Sequence, residues 1–316
     1  MGNKLRSETA RKPILVTGAH RSGTTWAGKM LSTGSGVVYI SEPLNVWHRP
    51  GVFAAPVDYW YTYICDDNQD EYLSSYQELL QLKYHTFDEI RSLRNLKDAG
   101  RFLRDWSAFS SGRKHGDRIL IKDPFAVFSA PWFKNALDCQ VVITVRHPAA
   151  VVNSLKRLNW AFDFNHLLSQ NLLMRDHLGL FQEDMLSMID NQANIIEQAS
   201  LLWRMIYFVV AEYQSLFKSF QVVRHEDLSL DPLEAYGMLY NQLGMDFSLR
   251  AVKVITNSSK TGNPQERRES AAHATQLDSR ANLNNWKARL SPQEIDRIHI
   301  LTGDIASNYY SEETWN

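Results

Sequence analysis

Five short apolar runs punctuate the chain. They are Pro13-Ile-Leu-Val-Thr17, Val37-Val-Tyr-Ile40, Arg118-Ile-Leu-Ile-Lys122, Gln140-Val-Val-Ile-Thr-Val145 and Phe220-Gln-Val-Val-Arg224. Each is nearly continuous rather than alternating, and each is followed by helical sequence, the pattern of parallel strands covered on both faces. Gly18 to Gly23 reads as a tight loop and Thr24–Leu31 as a helix, with Thr24 or Ser22 as its N-cap. Two long helical stretches interrupt the alternation. Residues 70–110 contain Glu71–Tyr84 and Phe87–Phe109, and residues 163–219 contain Ile195–Phe217. Insertions of this kind wall a site at the strand ends of an open α/β sheet. The run Asn257–Arg280, with Gly262, Pro264, Arg267 and Arg268, lacks apolar periodicity and reads as a long surface loop suited to a lid or binding segment. Residues 1–11 read as a flexible tail. With no repeat and no composition break, the expectation is one α/β domain over 12–316: a central parallel sheet of about five strands flanked by helices.

Composition narrows the classes of function. The 316 residues are 44% hydrophobic and 22% charged, ordinary for a globular protein. The 34 Lys and Arg nearly balance 35 Asp and Glu. That balance argues against a whole-surface nucleic-acid or anionic-membrane binder while leaving room for a local basic pocket. Two cysteines, Cys65 and Cys139, without a C-x-x-C, exclude a disulfide scaffold and a Cys-rich zinc site. No His or Asp cluster has metal-ligand spacing, so no metal is expected. No apolar run approaches the ~20 residues of a membrane span. Met1–Lys12 has no apolar signal region, and position 6 is Arg where myristoylation at Gly2 would call for Ser or Thr. A soluble, cytoplasmic protein is expected.

The loop Gly18-Ala-His-Arg-Ser-Gly-Thr-Thr-Trp26 lies between a strand and a helix. Successive backbone N–H groups there converge on an anion, aided by the helix N-terminus. Its spacing matches a G-x-x-x-x-G-K-[ST] loop except that Thr24 replaces the lysine that reaches the β and γ phosphates. Its absence argues against a nucleoside triphosphate, and Arg21 places a cation inside the loop instead. A second signal is Val145-Arg-His-Pro148, at the end of the fourth apolar run, with Ser154 about two turns into the following helix. A strand-end arginine and a helix hydroxyl can grip a second phosphate, the arginine bidentately.

Arg21-Ser-Gly-Thr-Thr-Trp26 resembles the 5′-phosphosulfate loop of sulfotransferases, which use 3′-phosphoadenosine 5′-phosphosulfate (PAPS) as sulfuryl donor. Arg146-His-Pro-Ala-Ala-Val-Val-Asn-Ser154 is similar to that family's 3′-phosphate motif. Val223-Arg-His-Glu-Asp-Leu228 and Asn285-Trp-Lys-Ala-Arg-Leu-Ser291 resemble its later strand and C-terminal tryptophan segment. The resemblance implies a P-loop-like sheet, with the long helical insertions on the acceptor side. It implies PAPS contacts from His20, Arg21, Ser22, Gly23, Thr24, Thr25, Trp26, Arg146 and Ser154, with Trp26 stacking on adenine. A basic pair that precedes the tryptophan in cytosolic members falls on Ser279 and Arg280, so only Arg280 carries over.

Sulfuryl transfer is an in-line displacement through a loose transition state, served by positioning and charge. Negative charge grows on the leaving 5′-phosphate, where Arg21 is the candidate cation. The attacking hydroxyl must lose a proton. Glu42, in Ser41-Glu-Pro-Leu44 after the second strand, is the first candidate base; its alternative role is to cap a loop or pair with an arginine. Lys122 is the candidate to neutralise the sulfuryl group. Lys122-Asp-Pro124 aligns with a segment where cytosolic members carry a catalytic His; Asp123 and Pro124 stand here and no His follows. Asp123, His20 or water are the other candidate bases. The acceptor expected is a carbohydrate hydroxyl. Arg21 and Glu42-Pro43 resemble the carbohydrate branch, and Trp47, Phe53, Tyr59, Trp60, Tyr61 and Tyr63 follow Glu42. That aromatic run suits sugar rings, or else a buried lid core. A small alcohol, lipid or tyrosyl acceptor, a P-loop kinase and a non-catalytic nucleotide-binding protein are the competing classes.

Overall fold

The computed structural model describes residues 12–34, 36–190, 194–264, 276 and 278–315. The tail 1–11 and the middle of the 257–280 stretch, with Arg267 and Arg268, lie outside the described residues. The five apolar runs form β1 (Ile14–Gly18), β2 (Val37–Ser41), β3 (Arg118–Lys122), β4 (Gln140–Val145) and β5 (Gln221–Arg224). All pair in parallel, in the order β2-β3-β1-β4-β5. Burial follows that order: β1 and β3 are buried at every position, whereas edge strand β5 is half-buried throughout.

Strand periodicity splits each continuous run between two cores. Ile14, Val16, Leu120 and Val142 face α1 (Thr24–Leu31), which contributes Trp26, Met30 and Leu31. Leu15, Ile121, Val141 and Ile143 face the opposite layer. In the first insertion the expected Glu71–Tyr84 helix is shorter, α2 (Leu73–Leu80). The expected Phe87–Phe109 helix is two helices, α3 (Thr86–Ser92) and α4 (Leu96–His115). Leu93 is extended and the Asn95 side chain accepts from Asp98 N, so a local cap restarts the helix there. After α5 (Ala130–Ala136), α6 (Pro148–Leu158) starts with proline in its first turn, where the missing N–H costs nothing.

The second insertion contains α7 (Ile195–Leu216), whose Trp203, Ile206, Tyr207 and Val210 fill the second core. Then come α8 (His225–Leu230), α9 (Pro232–Gln242) and α10 (Leu249–Ser259). Residues 257–259, expected in the long loop, are the last turn of α10, capped at its start by Ser248. Residues 279–290 run in turns to Ser291, whose capping box with Glu294 starts α11 (Pro292–Ala306). No helix among the described residues is long and apolar enough to cross a membrane.

The register aligns the strand ends. Ser41 pairs with Lys122, Gly18 with Thr144, and Val145 with Arg224. The direction in which the chain adds strands reverses between β1 and β4. A crevice opens at such a switch point, and the 18–24 and 146–148 loops flank it.

Candidate active site

The loop after β1 is shaped by residues that few sequences could replace. Gly18 has φ 139°, and a Cβ there would stand 2.3 Å from Thr144 O. Gly23 has φ 97°, and its Cβ would stand 2.4 Å from His225 Nδ1. Between them Arg21 adopts φ 72°, a left-handed conformation costly for a residue with a Cβ. Ser22 is turned inward: its hydroxyl donates to Ala19 O at 2.5 Å and lies 2.8 Å from Thr144 Oγ1. Ser22 therefore sets the loop's shape. Gly23 brings no side chain to cap α1, so the first-turn N–H groups of α1 end at the cleft uncapped.

A cleft open to solvent spreads from this loop. Arg21, Gly23, Thr24, Thr25, Trp26, Arg146 and Ser154 line it together. Arg21 Nε donates to Ser154 Oγ at 2.9 Å, and Arg146 Nη1 donates to Arg21 O at 3.2 Å. Arg146 is fixed in turn by Trp203 Nε1, which donates to its carbonyl at 2.9 Å. Burial pulls Arg146 below the usual arginine range, with nearby Glu226 opposing the shift. Trp26 reaches the cleft from a rigid seat, edge-on to His225 and Tyr236, with Nε1 donating to Ser258 Oγ at 2.8 Å.

Three of the expected nucleotide contacts, Ser22, His20 and Arg280, are not among the residues that line the cleft. His20 does not line the cleft; its Nδ1 lies 2.6 Å from Tyr61 Oη, and its ring stacks near Phe125. Arg280 is exposed and its Nε donates to Leu230 O at 2.9 Å, outside the cleft lining. The neighbouring Ser279 does line it, with its hydroxyl donating to Ser229 O at 2.8 Å. Three cleft residues lie outside every sequence motif, Arg157, Ser229 and Asn282, and Arg289 lies inside the C-terminal tryptophan segment with no role expected of it. Arg157 was legible in principle, because it stands three residues past Ser154 on one helix face.

The residues expected to carry the chemistry meet beside the loop. Lys122 is fully buried and its ammonium pairs with Glu42, while Glu42 Oε2 accepts from Asn45 Nδ2 at 2.8 Å. Gly28 of α1 leaves room for the lysine stem; a Cβ there would lie 3.0 Å from Lys122 Cγ. Glu42 has φ 55°, so strand β2 ends in a strained turn that presents this carboxylate. Asp123 is buried and accepts from Leu44 N at 2.6 Å and Phe125 N at 2.9 Å. Burial, with Glu42 adding repulsion, pushes its carboxyl up to about 7. These bonds make Asp123 the brace of the two loops that carry Glu42 and Phe125. Burial and the Arg21 charge pull His20 down to about 4. His20 thus stands between Arg21 and Glu42, near enough to sense both charges.

The aromatic run after Glu42 divides. Phe53, Tyr61 and Tyr63 are buried in the core, as a lid core would have them. Trp47 is 80% exposed and edge-on to Trp60, which packs 4.5 Å from Phe125. Trp160 is 52% exposed, with the Arg21 guanidinium 5.8 Å from its ring centre. This face continues from the Arg21 loop to the surface.

The chain matches the Sulfotransferase family over residues 13–248 and belongs to that family. The family transfers sulfuryl groups, and membership implies PAPS as donor and a hydroxyl acceptor. The sulfotransferase domain from the curacin biosynthetic pathway aligns at 16% identity and a TM-score of 0.49, covering 94% of this chain and 96% of that one. Sulfotransferase STF9 from Mycobacterium avium aligns at 12% identity and 0.47, covering 96% and 78%. Mouse sulfotransferase SULT7A1 complexed with PAP aligns at 12% identity and 0.41, covering 95% and 85%. No curated protein sequence matches the chain.

The cleft's own chemistry fits the donor. A bisphosphorylated nucleoside needs cations, N–H donors and polar groups for its base. Arg21, Arg146 and the uncapped start of α1 supply the first two. Among the described residues Ser229 Oγ, buried beside the cleft, has no hydrogen-bond partner, and a nucleotide would satisfy it.

Proposed function

We propose that this sulfotransferase binds PAPS in the cleft between β1 and β4 and transfers its sulfuryl group to a carbohydrate hydroxyl. The observation that carries the donor half is the meeting of Arg21, Arg146 and Ser154 in one cleft against the uncapped start of α1. In this reading the α1 N–H groups, Thr24, Thr25 and Arg21 hold the 5′-phosphosulfate, and Arg146 with Ser154 holds the 3′-phosphate. Trp26 packs against the adenine. The acceptor oxygen attacks sulfur, the S–O bond to the 5′-phosphate breaks, and Arg21 offsets the charge that the leaving phosphate gains. Glu42 accepts the acceptor's proton. Lys122, drawn toward the sulfuryl oxygens, relaxes its grip on that carboxylate as the proton arrives. His20, with its pKa near 4, is a weak base at neutral pH.

The carbohydrate half is supported by the aromatic face beside Arg21. Trp47 and Trp160 offer exposed ring faces to the apolar C–H surfaces of sugars, and polar groups around them can meet hydroxyls. The test is transfer from labelled PAPS to a panel of glycans, tyrosine peptides, phenols and hydroxylated lipids. Transfer to glycans is the expected result. Transfer to a phenol or lipid with none to any glycan overturns the acceptor assignment and leaves the donor reading standing.

A further inference from the structure

Two walls of the cleft carry the same pattern. On α6, Ala150, Asn153, Ser154 and Arg157 line the cleft at i, i+3, i+4 and i+7, the spacing of one helical face. In the C-terminal segment Asn282, Asn285, Trp286 and Arg289 line it at the same offsets. That segment is wound helically: Asn282 N donates to Asp278 O, Lys287 N to Asn284 O and Leu290 N to Trp286 O. Its wall is fixed from behind, because the buried Trp286 ring stacks on His147 with centroids 4.9 Å apart. Each stripe sets at least one asparagine amide beside the cleft and ends, one turn further on, in an arginine.

The two arginines and Arg146 form one electrostatic group. Burial and the charge of Arg157 pull Arg289 below the usual arginine range. Arg157 also acts in the same direction on Arg146. Bringing like charges together raises the free energy of a cleft, and an anion bound among them lowers it. Arg280 takes no part, since it is committed to Leu230 O outside the lining.

We propose that Arg157 and Arg289, one from each stripe, join Arg146 and Ser154 on the nucleotide's 3′-phosphate and replace Arg280 as the second source of positive charge there. The proposal rests on the reading of this cleft as the PAPS site. It makes the C-terminal segment supply positive charge to the donor site through Arg289 rather than through Arg280.

The test is calorimetric titration of the full chain and its variants with adenosine 3′,5′-bisphosphate and with 5′-AMP. Arg157→Gln and Arg289→Gln should each weaken the bisphosphate about tenfold, the scale of a lost charge-assisted contact, and leave 5′-AMP within about twofold. Arg157→Lys and Arg289→Lys keep the charge and should recover most of the loss. Arg280→Gln should change neither nucleotide. A melting curve without ligand separates lost contacts from a lost fold. Equal losses for both nucleotides, no loss for either, or a selective loss in Arg280→Gln overturns the assignment while wild-type binding upholds the donor site. A wild-type chain that binds neither the bisphosphate nor PAPS overturns both.

Discussion

Arg21 Nε donates to Ser154 Oγ at 2.9 Å across 133 residues of sequence. The loop after β1 and the helix after β4 thus meet through the two side chains assigned to different phosphates. Arg146 closes the same knot by donating to the Arg21 carbonyl. A shift of either loop displaces the cation of the other, so the two ends of the donor are gripped as one unit.

That coupling predicts a compound defect in Ser154→Ala. The hydroxyl is lost to the 3′-phosphate and Arg21 loses its tether. Affinity for adenosine 3′,5′-bisphosphate should fall about tenfold, as for one hydrogen bond to a charged group. In addition kcat should fall, because a loosened guanidinium is misplaced at the leaving phosphate. Steady-state kinetics beside equilibrium binding checks this. Reduced affinity with an unchanged kcat shows that the tether does not serve catalysis.

Arg21 carries a backbone cost that separates fold from chemistry. At φ 72° an L-residue is strained by about 1 kcal/mol relative to glycine. Arg21→Gly should therefore be more stable than Arg21→Ala by about that amount in denaturant unfolding, while both lose turnover to a similar extent. Each should lose far more rate than product affinity, since the charge acts as the leaving group forms. Comparable turnover in Arg21→Gly and wild type removes the guanidinium from the reaction.

The Glu42–Lys122 pair requires a double substitution to read correctly. Lys122 is fully buried, so Glu42→Gln leaves an ammonium without its counter-charge and should cost about 3 kcal/mol of stability. Turnover should collapse as well. Adding Lys122→Met removes the orphaned charge and should restore most of the stability but none of the turnover. Recovery of activity in the double variant means that neither group acts in transfer and that the pair is structural.

The sheet was legible because parallel strands buried on both faces are written as continuous apolar runs, and Gly18 and Pro148 mark where two of them give way to helices. Arg21, Glu42, Lys122, Arg146 and Ser154 could be placed near the strand ends for the same reason: the first four stand at strand ends or in the loops that follow, and Ser154 about two turns into the next helix. Asn95 hid the break between α3 and α4, because a single capping side chain overrides a long helical pattern. Ser22 misled because a loop serine can face its own backbone, and here it bonds Ala19 O. Arg280 departs from the expectation because spacing from Trp286 along the chain does not say which side of a wound segment a residue takes. The 279–290 segment is wound, so Ser279 and Arg289 face the cleft while Arg280 turns away. Lys122 and Glu42 were named separately, and nothing in sequence shows an ion pair across 80 positions.

The pH dependence of stability follows from two groups with opposite signs. His20 is lowered from 6.5 to about 4, so its contribution is complete above pH 6.5 and is lost as pH falls through 4. Asp123 is raised from 3.8 to about 7, so its contribution is complete below pH 3.8 and is lost as pH rises through 7. The two windows overlap with opposite slopes, so His20→Gln should leave Asp123 unopposed, making stability fall as pH rises from 4 to 6.5, and should leave the profile above pH 7 unchanged. Urea unfolding across pH 4 to 8 reads both limbs. An acid limb identical in His20→Gln and wild type assigns that loss to other buried histidines such as His147.

The last prediction concerns how the acceptor is held. Trp47 is the most exposed tryptophan of the face that runs through Trp60 and Phe125 toward His20, and Trp160 stands directly against the Arg21 guanidinium. The two positions should therefore fail differently. Trp47→Ala removes an exposed stacking surface that is not part of the donor cleft lining. It should raise the acceptor KM about tenfold, consistent with 1–2 kcal/mol of aromatic contact, with kcat and the KM for PAPS unchanged. Trp160→Ala also withdraws the ring from Arg21, a cation–π contact of about 0.5–1 kcal/mol at a partly exposed site. It should lower kcat as well as raise KM. Replacement by Phe, which keeps an apolar ring, should recover most of the Trp47 loss on a glycan. The Trp47 result carries most weight, because that side chain is not among the residues that line the donor cleft. An acceptor KM unmoved in Trp47→Ala places the acceptor on another face of the molecule and removes the structural support for a sugar.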